Sequence, residues 1–148
     1  MRRKRRWIFS ASPKSPARHV RLIAPVSVAE LDFEIPLLAQ HDTVRGFRKA
    51  IYSGLTTHEI IRVIEHVLVE FPHCSGLYHV SSDPVSKYDL LMLVKAAMNV
   101  PVEIVPDDSL QCDRSLDSSR FRREFYYRPP SWEIMIQELQ KQRREQVP

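Results

Sequence analysis

Two stretches of the chain place apolar residues at the spacing of a helix, and each begins with a polar capping pattern. Thr56 with Glu59, and Ser86 with Asp89, have the spacing at which side-chain oxygens bond the free backbone N–H groups of a first helical turn. The apolar positions after the first cap are Ile60, Ile61, Ile64, Val67 and Leu68. Those after the second cap are Leu90, Leu91, Val94, Ala97 and Met98. Spacings of three and four predict amphipathic helices over about 57–70 and 87–98, each with one apolar face.

Short apolar runs between these helices predict strands. They lie at 44–52, 77–80 and 102–105, and a weaker candidate lies at 22–24. Further along, Asp117 is a good cap for a short helix over 118–124. A last helix begins after two prolines and a serine, and its shared apolar face consists of Trp132, Met135, Ile136 and Leu139. Strand and helix segments alternate through most of the chain, which favours an α/β fold.

The polarity of the chain divides it into four parts. Residues 1–21 are basic and hold several Ser and Pro, which predicts a disordered tail. Residues 22–42 have no sustained period and are poorly assigned, with a short helix over 29–40 that Pro36 interrupts. Residues 43–140 carry the strong patterns and are expected to form the folded lobe. Residues 141–148 are charged and are expected to form a frayed tail.

The net charge of +4 belongs to the basic tail alone. Residues 1–21 hold eight of the 22 Lys and Arg and no acid, so the remainder has 14 bases against 18 acids. A solvated tail is therefore favoured over nucleic-acid binding. No run approaches the roughly 20 apolar residues of a membrane helix, and the start lacks the apolar block of a signal peptide. We expect a cytoplasmic protein with no membrane contact.

The motifs of a complete redox enzyme are missing from the sequence. The three glycines, Gly46, Gly54 and Gly76, cannot build the glycine-rich turn at which a backbone approaches a pyrophosphate. None of the five tyrosines is followed four positions later by a lysine, so a Tyr/Lys proton-transfer pair at helical spacing is absent. There is no phosphate-binding P-loop either. We expect no catalytic residue, and no cofactor bound by this chain alone.

The cysteines and one neighbouring histidine give little support for a metal site. His73 adjoins Cys74, but no further ligands follow at metal-site spacing. Cys74 and Cys112 are the two cysteines, and their separation fits no disulfide framework. Two free thiols are expected.

Two other polar positions also have plain structural explanations. His79 lies inside an apolar strand pattern and is predicted to be a core residue. Asp107 and Asp108 follow a proline and are predicted to form a solvated turn rather than a cation site.

The segment 113–122 holds three arginines, three serines and two aspartates beside a predicted helix start. One possibility is that the guanidinium of Arg114 bonds two oxygens of a phosphate, while Ser115 and nearby backbone donors complete the contact. The alternative is an ion pair between Arg114 and Asp113, Asp117 or another acid. The sequence favours neither possibility over the other. Most of the charge on the arginines of the short helix, at 120, 122 and 123, is predicted to face solvent.

Five ordered motifs resemble the C-terminal part of dTDP-4-dehydrorhamnose reductase-like proteins, which are extended short-chain dehydrogenase/reductases that act on nucleotide sugars. The motifs are IYSGLTT at 51–57, GLYHVSS at 76–82, SKYDLL at 86–91, DRSLDSSRFR at 113–122 and PPSW at 129–132. Together they cover roughly residues 43–140. The resemblance implies an incomplete C-terminal lobe of that fold, with the Rossmann cofactor half missing.

The resemblance also implies a ligand and candidate site residues. In that family the N-terminal Rossmann portion binds NAD(P) and supplies the Tyr/Lys pair, while the C-terminal portion closes over the nucleotide sugar. Arg114 and Ser115 are thereby implied to lie near the nucleotide phosphates. Lys87 belongs to the matching SKYDLL motif and is a third substrate-binding candidate, although packing at a helix start explains it equally well.

Two hypotheses about function follow. The first is a truncated substrate-binding part of a nucleotide-sugar reductase or epimerase, not catalytic alone, whose partner is either a separately encoded Rossmann half or a second copy that covers an exposed apolar face. The second is a non-catalytic interaction module that uses its basic tail to bind an anionic partner.

Overall fold

The structure, a computed structural model, describes residues 20–24 and 42–146 of the 148-residue chain. The strands are β1 (Val20–Ile23), β2 (Thr43–Tyr52), β3 (Gly76–His79), β4 (Val85–Ser86) and β5 (Glu103–Asp113). The helices are α1 (Thr57–Glu70), α2 (Lys87–Met98), α3 (Ser119–Glu124) and α4 (Trp132–Gln146). The α/β prediction is confirmed.

The ends of the described ranges differ in part from the sequence predictions. β1 begins at Val20, two residues inside the predicted disordered tail. The rest of that tail and the predicted helix over 29–40 lie outside the described residues. At the other end α4 continues to Gln146, so residues 141–146, expected to form a frayed tail, are helical.

The strands of the described residues form two separate small sheets. In the first, β2 lies between β4 and β5, antiparallel to β4 and parallel to β5. In the second, β1 pairs with β3 in parallel. No helix within 20–24 and 42–146 is long and apolar enough to cross a membrane.

Both predicted capping patterns form. The Thr56 hydroxyl accepts the backbone N–H of Glu59 at 3.4 Å, and the Ser86 hydroxyl accepts that of Asp89 at 3.0 Å. Ser86 also donates to the Asp89 carboxylate at 2.6 Å. α2 ends at Asn99, which takes the left-handed conformation with φ of 52° that often closes a helix. The two predicted helices therefore have the bounds expected from local chemistry.

The face that α1 buries matches the predicted one only at Val67, which is buried, and at Ile60, which is partly buried against the core. Its buried residues are Glu59, Val63 and Val67. Three residues of the predicted face are exposed, namely Ile61, Ile64 and Leu68. Apolar residues surround most of this helix, so spacing alone could not identify the side that meets the core. A polar contact helps to fix it, because Tyr127 donates a hydrogen bond to the fully buried carboxylate of Glu59.

Aromatic side chains from three elements meet in the core. Phe121 of α3 stacks on Phe125 with ring centres 4.7 Å apart, and Tyr78 of β3 meets Phe125 edge-on at 4.8 Å. Trp132, Met135 and Ile136 of the predicted α4 face are buried, as expected, and Leu139 is partly buried against them. These contacts join α3 to β3, and Trp132 of α4 lies against Tyr52 of β2 with ring centres 6.0 Å apart.

The strand β5 and the residue His79 correct two further predictions. The predicted strand over 102–105 runs on to Asp113, because ten-residue β2 supplies a long parallel partner. Asp107 and Asp108 therefore lie in a strand rather than a turn, where they pair with Arg45 and Arg48 of β2.

His79 is exposed rather than buried. Its neighbours Tyr78 and Val80 are both in the core. Successive side chains of a strand point to opposite faces, so the residue between them must face outward.

Candidate functional site

The predicted site residues gather at one end of the three-stranded sheet. Ile51 of β2 is in register with Ser86 of β4 on one side and Asp113 of β5 on the other. Arg114 and Lys87 each directly follow one of these two partners. Neighbouring strands lie about 4.8 Å apart, so the two outer positions are separated by roughly 10 Å. Because β4 is antiparallel to β2 and β5 is parallel to it, Arg114 continues toward the level of Tyr52, whereas Lys87 turns back toward the level of Ala50. The two cationic residues, far apart in sequence, thus start on opposite sides of β2 near one end of the sheet.

The backbone of Arg114 is hydrogen-bonded to the sheet, but its side chain has no partner among the described residues. Its N–H donates to the carbonyl of Ile51 at 3.0 Å. Within the described part of the chain its exposed guanidinium makes no ion pair and no hydrogen bond. The ion-pair alternative is therefore not what the structure shows, and five N–H donors remain available to a ligand or to water.

Ser115 binds one oxygen of the adjacent carboxylate of Asp113. Its backbone N–H and its hydroxyl both donate to Oδ1 of Asp113, at 2.9 and 2.6 Å. The hydroxyl bond and then the backbone bond hold the pKa of Asp113 below its usual value. The single hydroxyl proton of Ser115 is thereby committed, so in this arrangement Ser115 orients the loop instead of donating to an anion.

Buried serines hold the loop that follows. The hydroxyl of Ser53, which is fully buried, accepts the N–H of Leu116 at 2.8 Å. The hydroxyl of Ser81 donates to the carbonyl of Leu116 at 2.9 Å. Ser82 connects the two supports, since its N–H donates to the carbonyl of Ser53 at 3.2 Å. Both backbone groups of Leu116 are thus bonded to buried hydroxyls, which fixes the path of the chain after Arg114.

Arg122 completes this network and is not simply solvent-facing. Its guanidinium donates to the Ser118 hydroxyl at 2.9 Å, the Ser81 carbonyl at 3.0 Å and the Asp83 carboxylate at 2.9 Å. The hydrogen bond from Arg122 is also the main reason why the pKa of Asp83 lies below its usual value. Arg120 and Arg123 are exposed, as predicted.

These supporting serines were not predicted as site residues. Ser53 directly follows β2, and Ser81 with Ser82 comes shortly after β3, so all three stand at the carboxyl ends of strands. Ligand sites in α/β sheets favour that edge. Polar residues directly after apolar strands were therefore the available signal, but only the fold shows that they are buried together.

The placement of Lys87 is consistent with either interpretation. It is the first residue of α2 and is half-buried. It follows Ser86, whose hydroxyl caps that helix, so the start of α2 is rigid. The side chain begins one strand away from β2, on the side opposite Arg114.

A neighbouring cleft is less suited to a phosphate, because two of its carboxylates, those of Asp89 and Glu133, form no ion pair with a described residue, whereas Asp83 is paired with Arg122 and Arg128. It measures about 490 Å³ and is lined in part by Trp132, whose indole N–H donates to the carbonyl of Asp83 at 2.8 Å. Three carboxylates, those of Asp83, Asp89 and Glu133, also line it. Like charges in such a space repel an anion, so the anion-compatible surface is the Arg114 edge.

The described residues contain no group of three or more His, Cys, Asp or Glu side chains that could hold a metal ion. Cys74 and Cys112 are both free and half-buried. The candidate site is therefore built from an arginine, a lysine and hydrogen-bonded serines.

No family model matches the chain, and no curated protein matches it. Several solved structures are similar to it in fold. The dTDP-4-dehydrorhamnose reductase of Bacillus anthracis, in complex with NADP, is 17% identical with a TM-score of 0.64, over 80% of this chain and 45% of that one. The UDP-N-acetylglucosamine 4-epimerase of Bacillus cereus is 14% identical with a TM-score of 0.64, over 84% and 45%.

A third solved structure is the Bordetella bronchiseptica enzyme WbmG in complex with NAD and UDP, 19% identical with a TM-score of 0.59, over 84% of this chain and 42% of that one. The chain thus spans less than half the length of these proteins. The likeness is one of fold: a mixed α/β arrangement shared with part of a dTDP-4-dehydrorhamnose reductase, a nucleotide-sugar epimerase and a UDP-binding enzyme.

Proposed function

We propose that this chain is the substrate-binding part of a nucleotide-sugar reductase or epimerase, and that it performs no hydride transfer alone. It corresponds to a C-terminal lobe, and Arg114 contacts the nucleotide phosphates. The observation that carries the proposal is an unpaired guanidinium on a loop that buried serines hold in place. The solved structures of similar fold support the ligand class, since one holds UDP and another is named for a dTDP-sugar.

Preorganisation makes Arg114 the strongest anion contact on this edge. A guanidinium can bond two phosphate oxygens at once through parallel N–H groups. No ion pair with a described residue has to be broken first. The backbone of Arg114 is bonded to β2, so little ordering of the main chain remains to oppose binding.

Lys87 and Ser115 have different roles in the proposal. Lys87 starts across β2 from Arg114; the strand residues just before them, Ser86 and Asp113, are roughly 10 Å apart, and the two long side chains can extend toward one diphosphate. It acts as a second, single-point positive charge. Ser115 positions Arg114 indirectly, because its two bonds to Asp113 on the other side of Arg114 order the turn that carries it.

The chemistry of hydride transfer has to come from elsewhere. The chain has neither a glycine-rich dinucleotide turn nor a Tyr/Lys pair at helical spacing. NAD(P) would be held by a Rossmann part supplied by another chain or segment. Purified chain that oxidised NAD(P)H in the presence of a nucleotide sugar would contradict this part of the proposal.

Calorimetric titration with UDP and dTDP tests the binding proposal. We expect Arg114→Ala to weaken binding by roughly 10- to 100-fold, the effect of losing hydrogen bonds to a charged group. Arg123→Ala is the matched control, because Arg123 is also exposed but lies on α3. Equal affinity of the wild-type and Arg114→Ala proteins would remove Arg114 from the site, and no binding by either would remove the ligand class.

A further inference from the structure

Ser81, which lies shortly after β3, bonds to both ends of the segment 113–122. At the first end, its hydroxyl donates to the carbonyl of Leu116 at 2.9 Å, two residues after Arg114. At the second end, its backbone carbonyl accepts a hydrogen bond from the guanidinium of Arg122 at 3.0 Å. A single buried residue therefore links the end of the segment that carries the proposed phosphate contact to the end that lies in α3.

The carbonyl of Ser81 is held by two donors at once. Besides the guanidinium of Arg122, it accepts the hydroxyl of Ser118 at 3.2 Å, and that hydroxyl in turn accepts Nε of Arg122 at 2.9 Å. A carbonyl oxygen has two lone pairs, so both acceptor positions are filled. Ser81 and Ser118 are buried, and buried polar groups that lose a partner cannot replace it with water. The orientation of Ser81 is thereby fixed from its carbonyl side.

The shape of the guanidinium suits this set of acceptors. Arg122 bonds the Ser118 hydroxyl, the Ser81 carbonyl and the Asp83 carboxylate with three different nitrogens, at 2.9 to 3.0 Å. Its side chain is only 25% exposed. A lysine would keep the charge beside Asp83, but its ammonium is a compact charge without the planar fork of donors. The network therefore depends on the geometry of the side chain as well as on its charge.

A second arginine on the same carboxylate provides a comparison. Arg128 reaches the other oxygen of Asp83 at 3.4 Å, and its side chain is 72% exposed. That side chain makes no other hydrogen bond with the described residues. Arg122 and Arg128 thus share one carboxylate, but only Arg122 continues to Ser81 and to the loop after Arg114.

We propose that Arg122 is a positioning residue for nucleotide binding. It holds Ser81, Ser81 holds the carbonyl of Leu116, and the path of the chain at Leu116 sets the direction in which Arg114 leaves the sheet. The inference rests on the proposed function, because the anion that Arg114 meets is the nucleotide assigned there. A residue that acts only by placing Arg114 has no effect on binding once Arg114 is gone. That dependence separates positioning from a contribution of charge or of overall stability.

A double-mutant cycle on UDP binding, measured by calorimetry, tests this dependence. We expect Arg122→Ala to weaken binding about fivefold or more, and by no more than Arg114→Ala does, because both act through one contact. In an Arg114→Ala background, Arg122→Ala should have no further effect. Arg122→Lys should bind as weakly as Arg122→Ala, since charge without the fork does not rebuild the network. Arg128→Ala is the matched control and should bind UDP like the wild type.

Hydrogen exchange of the Leu116 amide tests the support without any ligand. This N–H donates to the buried hydroxyl of Ser53. It should exchange about threefold faster or more in Arg122→Ala, because the local structure opens more often once Ser81 is released. The amide of Val94, in the middle of α2, should exchange as in the wild type, which establishes that the variant remains folded.

Four results would overturn the proposal. They are wild-type affinity in Arg122→Ala, an equal loss in Arg128→Ala, recovery of affinity in Arg122→Lys, and an Arg122→Ala effect that persists in full without Arg114. A wild-type chain that bound neither UDP nor dTDP would defeat the proposed function instead. The exchange of Leu116 would then decide alone whether Arg122 fixes the loop, and an unchanged rate would show that it does not.

Discussion

The two sheets of this chain differ in how their polar groups are satisfied. At the end of the three-stranded sheet, Ser53 and Ser81 bond both backbone groups of Leu116, and Arg122 ties the same loop to α3. In the two-stranded sheet, the outer edge of β1 has no strand partner within the described residues. A satisfied polar network suits a site that must hold one geometry. The open edge of a strand leaves backbone groups that another segment can bond.

This contrast also separates a hydrogen-bonded arginine from one whose side chain is available to a ligand. Arg122 makes three hydrogen bonds inside the network, whereas Arg114 makes none with its side chain in the described chain. Both lie in the same ten-residue segment. Their difference in role arises from the direction of each side chain and not from composition.

The largest expected effect is loss of the core that joins the two regions. Phe121 is fully buried and contacts Phe125 and Tyr78 of the two-stranded sheet. Phe121→Ala removes an aromatic ring and leaves a cavity, so we expect the free energy of unfolding to fall by about 3–5 kcal/mol. Urea denaturation measures this. A change below about 1 kcal/mol would mean that the two regions are stabilised independently of Phe121.

A smaller effect is expected from the polar network of the first region. Ser53→Ala leaves the N–H of Leu116 buried without its acceptor, which should cost about 1–3 kcal/mol. The mutation should also weaken UDP or dTDP binding, because the loop after Arg114 loses its support. Ser75→Ala is the control, since Ser75 is exposed and its side chain makes no hydrogen bond with the described residues. Equal stability of the two variants in urea would show that burial of Ser53 is unimportant.

One substitution, at the exposed residue Tyr126 after α3, is expected to raise the free energy of unfolding. Tyr126 follows α3 with φ of 50° and is 86% exposed. The left-handed conformation costs a residue with a side chain about 1–2 kcal/mol, and glycine adopts it freely. Tyr126→Gly should therefore raise the free energy of unfolding by about 1 kcal/mol, and Tyr126→Ala should not. Thermal melts compare the variants, and a loss of stability on substitution by glycine would contradict the assignment.

The smallest effect concerns Asp107 of β5 and the dependence of stability on pH. Hydrogen bonds from Ser109, together with Arg45, lower the pKa of Asp107 from 3.8 to about 2. A carboxyl with a lowered pKa in the folded state stabilises the fold above its unfolded pKa, and this contribution is lost as the pH falls from about 4 to about 2. Asp107→Asn should flatten that part of the stability curve slightly, because the pair is exposed. Identical wild-type and variant curves in urea titrations between pH 2 and 5 would rule out the contribution.

Local chemistry made some elements predictable from the sequence. The caps at Thr56 and Ser86 depend on residues three positions apart, so α1 and α2 have the expected bounds. The bounds of β5 differ from those expected, because its length depends on pairing with β2, about 60 residues away in the chain. The orientation of His79 depends on which face of β3 meets the core, and sequence alternation does not specify that face.

The candidate site was predictable only in part for the same reason. Arg114 and Lys87 were identified from residue type and from motifs that resemble a known family. Their gathering near one end of the sheet depends on the register of Ile51 with two other strands. The roles of Ser53 and Ser81 depend on burial and on contacts between distant segments, which no short motif encodes.

The central claim is that the edge around Arg114 holds the phosphates of a nucleotide. Mapping of amide chemical shifts during titration with UDP tests it most directly, because the method reports the location of binding as well as its strength. We predict the largest shifts at Arg114, Ser115 and Lys87, and their loss in Arg114→Ala. Shifts confined to the acidic cleft at Trp132 and Glu133, or persisting in that variant, would contradict the claim.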